Sequence, residues 1–259
     1  MSLRPDIRGF EKLAAHVPDL REGREPLVGL IGFVIFAAAT AILLTIDHLW
    51  PTYTGLGQIG AIIAGFLFAA RFFWRRKAYR ARWGDLAYRN AFVRCILPGM
   101  PTIMAAIVHT AYLPGDRLPW NWARSLLIAP AAYLVVVGLL LWARSVLTFG
   151  IDNLAMLYVY FPEESPMVDA SIYSVIRHPV YSAVSHIGLA LGLWRGTWFS
   201  IAFGLLMPVG LTIWLRLVEE PELLERFADS YAAYRRKVPA FWPRLQDWGK
   251  FFRFVMIGR

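Results

Sequence analysis

Apolar stretches separated by short polar links set the reading of this chain. Leu27 to Leu49 is apolar, with Asp47 and His48 only at its far end. At ~1.5 Å per residue, a helix of that length crosses a hydrocarbon core of ~30 Å. Gln58 to Trp74 forms a second run and Cys95 to Leu113 a third. Pro98, Gly99 and Pro101 near the start of the third predict a kinked entry. Ser125 to Leu147 is the most clearly apolar run. Val180 to Trp194 spans only ~22 Å as a helix and is short for a full crossing. Arg195-Gly196 breaks it, and Thr197 to Leu217, containing Pro208, returns. The pattern predicts an all-α fold, a polytopic integral membrane helical bundle. It ends in a helical hairpin, one arm short, followed by cytoplasmic C-terminal helices.

Composition supports a membrane protein. Of 259 residues, 58% are hydrophobic and only 17% charged, whereas soluble domains run near half and a quarter. A formal charge of +9 would suit nucleic acid. Its Lys and Arg residues, however, cluster at the ends of apolar runs, which is a topology signal, and no nucleic-acid partner is expected. The N-terminal segment 1–26, the basic loop 75–94 (Arg75, Arg76, Lys77, Arg80, Arg82, Arg89) and everything after Leu217 therefore fall in the cytoplasm. The mixed segment 149–181 lies on that side too, folded back onto the membrane surface. The N-terminus lacks a cleavage site, so the first span reads as a retained anchor.

This predicts a cytoplasmic segment 1–26, three spans over 27–124 and a C-terminal module over 125–259. The tryptophans of the link 114–124 suit the interface, and Trp248, Phe251, Phe252 and Phe254 suggest an interfacial amphipathic segment. Cys95 excludes an internal disulfide and a cysteine-based metal site, and reads as a small core residue. His16, His48 and His109 are scattered and make no metal site. Gly55-Leu56-Gly57 follows no strand and reads as a turn.

Charge brackets the hairpin. Arg216, Glu219 and Glu220, spaced i, i+3 and i+4, share one face of a regular helix. An ordinary helix end with a local ion pair is the plain alternative. Ionisable groups at a membrane boundary nonetheless point to function, because burying them unpaired is costly. At the other foot, Pro179 suits the first turn of a helix, which sets His178 at an N-terminus able to hold an anionic group. His186, two turns on, is a supporting candidate. Gly188 and Gly192 read as a helix-packing pair.

The ordered set Tyr173-x-x-x-Arg177-His178-Pro179-x-Tyr181, the Gly-bearing hairpin, Arg216-x-x-Glu219-Glu220, Phe227-x-x-x-Tyr231-x-x-Tyr234, Val238-Pro239 and Pro243 carries a resemblance. It resembles the C-terminal module of the isoprenylcysteine carboxyl methyltransferase and phospholipid N-methyltransferase superfamily of integral membrane enzymes. Gly138, Trp142-Ala143-Arg144 and Phe149-Gly150 resemble the helix and exit turn preceding that module. The resemblance implies an S-adenosyl-L-methionine-dependent methyltransferase whose site faces the cytoplasm. It implies cofactor-binding roles for Tyr173, Arg177, His178, Pro179, Tyr181 and Glu220, and catalytic roles for Arg216, Glu219 and Glu220. Arg177 or the His178 helix end would meet the cofactor carboxylate, and an acidic group its ammonium.

One departure stands out: Ser171-Ile172-Tyr173 occupies the place of a Gly-x-Tyr turn. Glu219-Glu220-Pro221 resembles the phospholipid branch, and Arg-His-Pro-x-Tyr the isoprenylcysteine branch. Carboxyl O-methylation is favoured, with phospholipid N-methylation also compatible. The partners expected are a lipophilic or lipid-linked substrate from the bilayer and the membrane lipids themselves. Two other classes stay open: a sterol-reductase-type oxidoreductase using NADPH, whose C-terminal region has a similar tail, and a non-catalytic lipid-binding protein.

Overall fold

A computed structural model describes residues 8–21, 24–118 and 121–258, without the side chains of residues 21, 25 and 121–124. Its principal helices are α1 (Phe10–His16), α2 (Glu25–Leu49), α3 (Thr54–Trp74), α4 (Arg76–Trp83), α5 (Leu97–His109), α6 (Asn121–Phe149), α7 (Pro179–Arg195), α8 (Trp198–Trp214), α9 (Glu220–Lys237) and α10 (Trp248–Ile257). No strand occurs among the described residues. The fold is all-helical. Five segments are long and apolar enough to cross a membrane: Pro26–Leu49, Pro51–Trp74, Arg76–His109, Ser125–Phe149 and Trp198–Lys237. The expected interface role of the link's tryptophans falls on Trp120, outside the described residues, and on the undescribed side chain of Trp122.

The boundaries differ from the sequence reading in physical ways. The first link shrinks to Trp50 and a 3-10 turn, Pro51–Tyr53, so α3 starts four residues before the expected Gln58. The basic loop is itself helical: α4, a short turn, a helix over Ala87–Ala91 and a π-helical turn over Phe92–Ile96. Its residues carry good helix formers (Arg, Lys, Ala, Leu), which the charge pattern had masked. A π-helical turn stands before Pro98, and Pro101 is accommodated inside α5.

The chain divides into two compact units. One comprises Ala14–Ala131 with Gly188–Leu206, the other Met1–Leu13, Ala132–Ile187 and Met207–Arg259. In the first, α3 and α5 meet backbone to backbone at a pair of glycines. A Cβ at Gly65 would stand 3.0 Å from the Gly99 carbonyl oxygen, and one at Gly99 would stand 2.9 Å from that of Gly65. Small residues at such crossings let lipid-embedded helices gain contact without a hydrophobic driving force. The hairpin tip follows the same rule, since a Cβ at Gly192 would meet the Ser200 carbonyl oxygen at 2.4 Å. Gly196 turns the chain at φ +69°. Thr197 then caps α8: the Ser200 amide donates to Thr197 Oγ1 at 3.1 Å, and the Thr197 amide to Ser200 Oγ at 3.2 Å.

In the second unit the core gathers Val137 and Leu141 of α6, Ile172, Tyr173, Val175 and Ile176, Ala183 of α7, and Phe251 and Val255 of α10. One face of the tail helix α10 packs on this core and the other is left open. Phe251 and Val255 are fully buried against protein, while Phe252, Met256 and Ile257 remain exposed. The segment 149–181 also contributes buried residues. Leu157, Tyr158, Val159 and Tyr160 are all buried, and the segment advances by short turns at Ile151–Leu154, Leu157–Val159 and Pro162–Glu164.

Candidate active site

The Arg177-His178 turn is built by the C-terminal tail. The Arg177 amide donates to the Pro239 carbonyl at 2.9 Å and the His178 amide to that of Ala240 at 3.0 Å. The Ser182 hydroxyl donates to the Phe241 carbonyl at 2.8 Å, and the Tyr234 hydroxyl to the Tyr173 carbonyl at 2.6 Å. Val238-Pro239 and Tyr234, distant in sequence from the turn, are therefore its scaffold. Pro179 occupies the first turn of α7, where its missing N–H costs nothing.

Two glutamates approach this turn from the far side and take different partners. Glu220 is 3% exposed. Its Oε1 accepts from Arg177 Nε at 3.0 Å and Nη2 at 2.9 Å, and its Oε2 lies 3.3 Å from Arg235 Nη1. The Tyr231 hydroxyl reaches Oε1 at 3.5 Å. Glu219, also buried, accepts from the Tyr181 hydroxyl through a short hydrogen bond and from Trp214 Nε1 at 3.3 Å. His178 stands between the carboxylates, its Nδ1 3.6 Å from Glu219 Oε1 and its Nε2 3.6 Å from Glu220 Oε1. At that length these are electrostatic approaches rather than hydrogen bonds.

The electrostatics differ accordingly. Two guanidiniums neutralise Glu220. Among the described residues, Glu219 is met by neutral donors and by His178, so it keeps more of its negative character. Tyr158, outside the spans, lies in the same field. Burial pushes its phenol far above the ordinary value, and the Glu219 charge adds to the shift. It stays a neutral hydroxyl. Arg226 stacks over the Tyr158 ring at 4.5 Å and pairs with Glu222 at 3.3 Å.

Of the residues singled out from sequence, Arg177, His178, Tyr181, Glu219 and Glu220 converge, with Pro179 shaping the turn. Arg216 does not join them. It is exposed while Glu219 and Glu220 are buried, because Leu215–Glu219 is a π-helical turn. The wider turn rotates the i, i+3, i+4 register that a regular helix would have kept. Tyr173 sits in the core behind the turn, its ring 5.3 Å from Phe149. His186 is held by the Ser182 carbonyl at 2.7 Å and stacks on Trp242 at 4.8 Å, a packing position away from the carboxylates. Most of the Arg177 donors are engaged within the protein, by Glu220 and by the Val238 and Arg235 carbonyls. The His178 amide is taken by Ala240, which leaves the first-turn amides of Val180 and Tyr181.

Sequence reasoning missed Trp214, Tyr158 and Arg235. Trp214 and Tyr158 lie in apolar runs where an aromatic residue carries no separate signal. Arg235 is one of three consecutive basic residues.

Ser171 adopts φ +55°. The left-handed turn that glycine would favour is kept with a serine in it.

Residues 126–230 match the family model described as phospholipid methyltransferase. No curated protein and no solved structure gives a match. The matched stretch contains Tyr158, Arg177, His178, Tyr181, Trp214, Glu219 and Glu220 but neither Tyr231 nor Arg235, and that family model belongs to the integral membrane methyltransferase superfamily that also includes the isoprenylcysteine enzymes. Together with the long apolar helices, this match over about two-fifths of the chain supports a membrane methyltransferase.

Proposed function

We propose that the chain is an S-adenosyl-L-methionine-dependent methyltransferase whose site, formed by His178, Tyr181, Glu219 and Glu220, serves a lipophilic acceptor from the bilayer. The observation that carries the reading is the inequality of the two buried carboxylates, one neutralised by Arg177 and Arg235, the other held by Tyr181 and Trp214. Such a donor set suits a cationic ligand, because Glu219 offers charge that no neighbouring guanidinium has consumed. When bound, the cofactor supplies an electrophilic methyl group on a sulfonium, together with an ammonium and a carboxylate that need partners. Glu219 would face the cationic portion, and the amides of Val180 and Tyr181 at the start of α7 the anionic portion.

The protein's own work is positioning. Glu220 and Arg177 fix the His178 turn, and Tyr181 and Trp214 fix the Glu219 carboxylate. The buried aromatics Tyr158 and Trp214 limit water at the site. In-line displacement on a carboxylate or thiolate acceptor requires orientation above all. For an amine acceptor, Glu219 is the group placed to take the proton. The family match lies with phospholipid enzymes, while carboxyl O-methylation agrees with the Arg-His-Pro-x-Tyr motif. The charge bias of the links supports a site facing the cytoplasm.

The test is incubation of the reconstituted protein with methyl-labelled S-adenosylmethionine and total membrane lipid. Label in a lipid or lipid-linked product is expected, together with heat stabilisation by S-adenosylhomocysteine. Stabilisation by NADPH, with none by S-adenosylhomocysteine, overturns the reading.

A further inference from the structure

A second polar cluster lies apart from the carboxylate site, where three apolar helices end. Asp47 is in the last turn of α2, Thr54 begins α3 with Gln58 one turn on, and His109 closes α5. His109 Nδ1 lies 2.8 Å from Gln58 Oε1, and its Nε2 2.7 Å from Asp47 Oδ2. The imidazole is fully buried, and the Asp47 side chain is 14% exposed. Ionisable groups within apolar spans are expensive and mark functional positions.

The hydrogen-bond directions determine how many protons the cluster holds. Gln58 Nε2 lies 2.6 Å from the Ala106 carbonyl, which can only accept. The amide is therefore oriented with Nε2 donating there, leaving Oε1 facing His109 as a pure acceptor. His109 Nδ1 must then carry a hydrogen. The 2.7 Å contact on the other side also needs a hydrogen between Nε2 and Asp47 Oδ2. A neutral imidazole has one N–H and a carboxylate has none, so the two bonds require one proton more than that pair possesses.

A second observation agrees. Asp47 Oδ1 is buried and makes no hydrogen bond. A carboxylate carrying a full net charge on an atom so placed is strongly disfavoured. A net-neutral Asp47–His109 pair removes that penalty. The titratable neighbour on the same element, His48, is exposed, and the polar groups that approach from α3 and the end of α5, Gln58 and Thr110, are uncharged.

We propose that Asp47 and His109, oriented by Gln58, form a proton-binding site at one end of this helix group, exchanging with water through the Asp47 edge. The bound proton joins α2, α5 and α3 in a continuous series of hydrogen bonds, Asp47 to His109 to Gln58. Its position at the helix ends beside the link Trp50–Tyr53 gives it a route to the aqueous phase without crossing hydrocarbon. The site does not depend on the methyltransferase reading.

Nitrogen NMR of ¹⁵N-histidine-labelled full-length protein in nanodiscs, run alongside infrared spectroscopy at about pH 8, tests it. That pH lies above the ordinary histidine value of ~6.5. Two protonated ring nitrogens on His109 are expected, or else one together with a carboxylic-acid carbonyl band that Asp47→Asn abolishes. A bare ring nitrogen on His109 with no such band overturns the proposal. The wild-type spectra decide the outcome. His109→Gln serves only to assign the signal, and single replacements of His16, His48, His178 and His186 assign it equally well if that variant does not fold.

Discussion

Arg177 donates two hydrogen bonds to a single oxygen of Glu220, 43 residues further along the chain. This pair joins the turn before α7 to the start of α9, and both partners are largely withdrawn from water, at 13% and 4% side-chain exposure. Removing one partner strands the other. Glu220→Gln is expected to destabilise the fold by about 3 kcal/mol, whereas the double variant Arg177→Met with Glu220→Met should cost less. Thermal unfolding of the four proteins of the double-mutant cycle measures the coupling.

Glu219 has a different role, because its partners Tyr181 and Trp214 are neutral. Glu219→Gln keeps the shape and the hydrogen-bond acceptor but removes the charge. Methyl transfer should fall by about 100-fold with little change in melting temperature. Tyr181→Phe, which leaves the carboxylate charged but less well held, should fall by about 10-fold. Equal activity of Glu219→Gln and wild type in the labelled-methyl assay would remove Glu219 from the site.

The turn at Ser171 stores backbone strain. A non-glycine residue at φ +55° carries a cost of about 1 kcal/mol that glycine does not. Ser171→Gly should therefore raise stability by about 0.5 kcal/mol after the greater chain entropy of glycine is counted. A melting temperature below that of wild type would show that the serine side chain offsets the strain.

At the crossing of α3 and α5, a methyl group has no room. Gly99→Ala places a Cβ 2.9 Å from a backbone oxygen, which cannot rotate away. The expected loss is about 1–3 kcal/mol. Gly60→Ala, in the same helix group but with nothing within 4 Å, is the control and should be neutral. Folded yield in detergent distinguishes the two.

Asp19 is expected to contribute acid sensitivity to the unit Ala14–Ala131 with Gly188–Leu206. Its hydrogen bond to Arg89, the larger lowering cause, holds the carboxyl below the usual carboxylate range. A depressed folded value means that stability is present above the ordinary ~3.9 and is lost as pH falls through the folded value. Asp19→Asn should flatten the acid limb of a melting-temperature profile below about pH 4. An unchanged acid limb would show that other carboxylates control it.

Much of the helical plan was legible because its signals are local. Runs long enough to cross a bilayer, the Arg195-Gly196 break and the Val238-Pro239 stop each depend on a few adjacent residues. The short first arm of the hairpin was legible too: α7 stops after 17 residues, whereas the return arm runs on from α8 through the π turn into α9 as one long segment. The basic segment 75–94 was harder to read, because dense charge suggests a loop even where helix propensity is high. The apolar residues of α10 posed another difficulty: lipid and a protein core reward the same side chains, and only the neighbours tell them apart.

At the candidate site the charge pattern pointed to Arg177, His178, Glu219 and Glu220, and the family resemblance added Tyr181. The pattern could not separate the two glutamates, because adjacent acids look alike until their partners are placed. Nor could it place Arg216 correctly, because periodicity assumes 3.6 residues per turn and the π turn at Leu215–Glu219 departs from it. The sequence by itself determined which groups are polar in an apolar chain, and hence where chemistry must lie. Tertiary structure alone decided which of those groups neutralise one another. That outcome depends on distance in space, and Coulomb and hydrogen-bond energies fall away within a few ångströms whatever the separation along the chain.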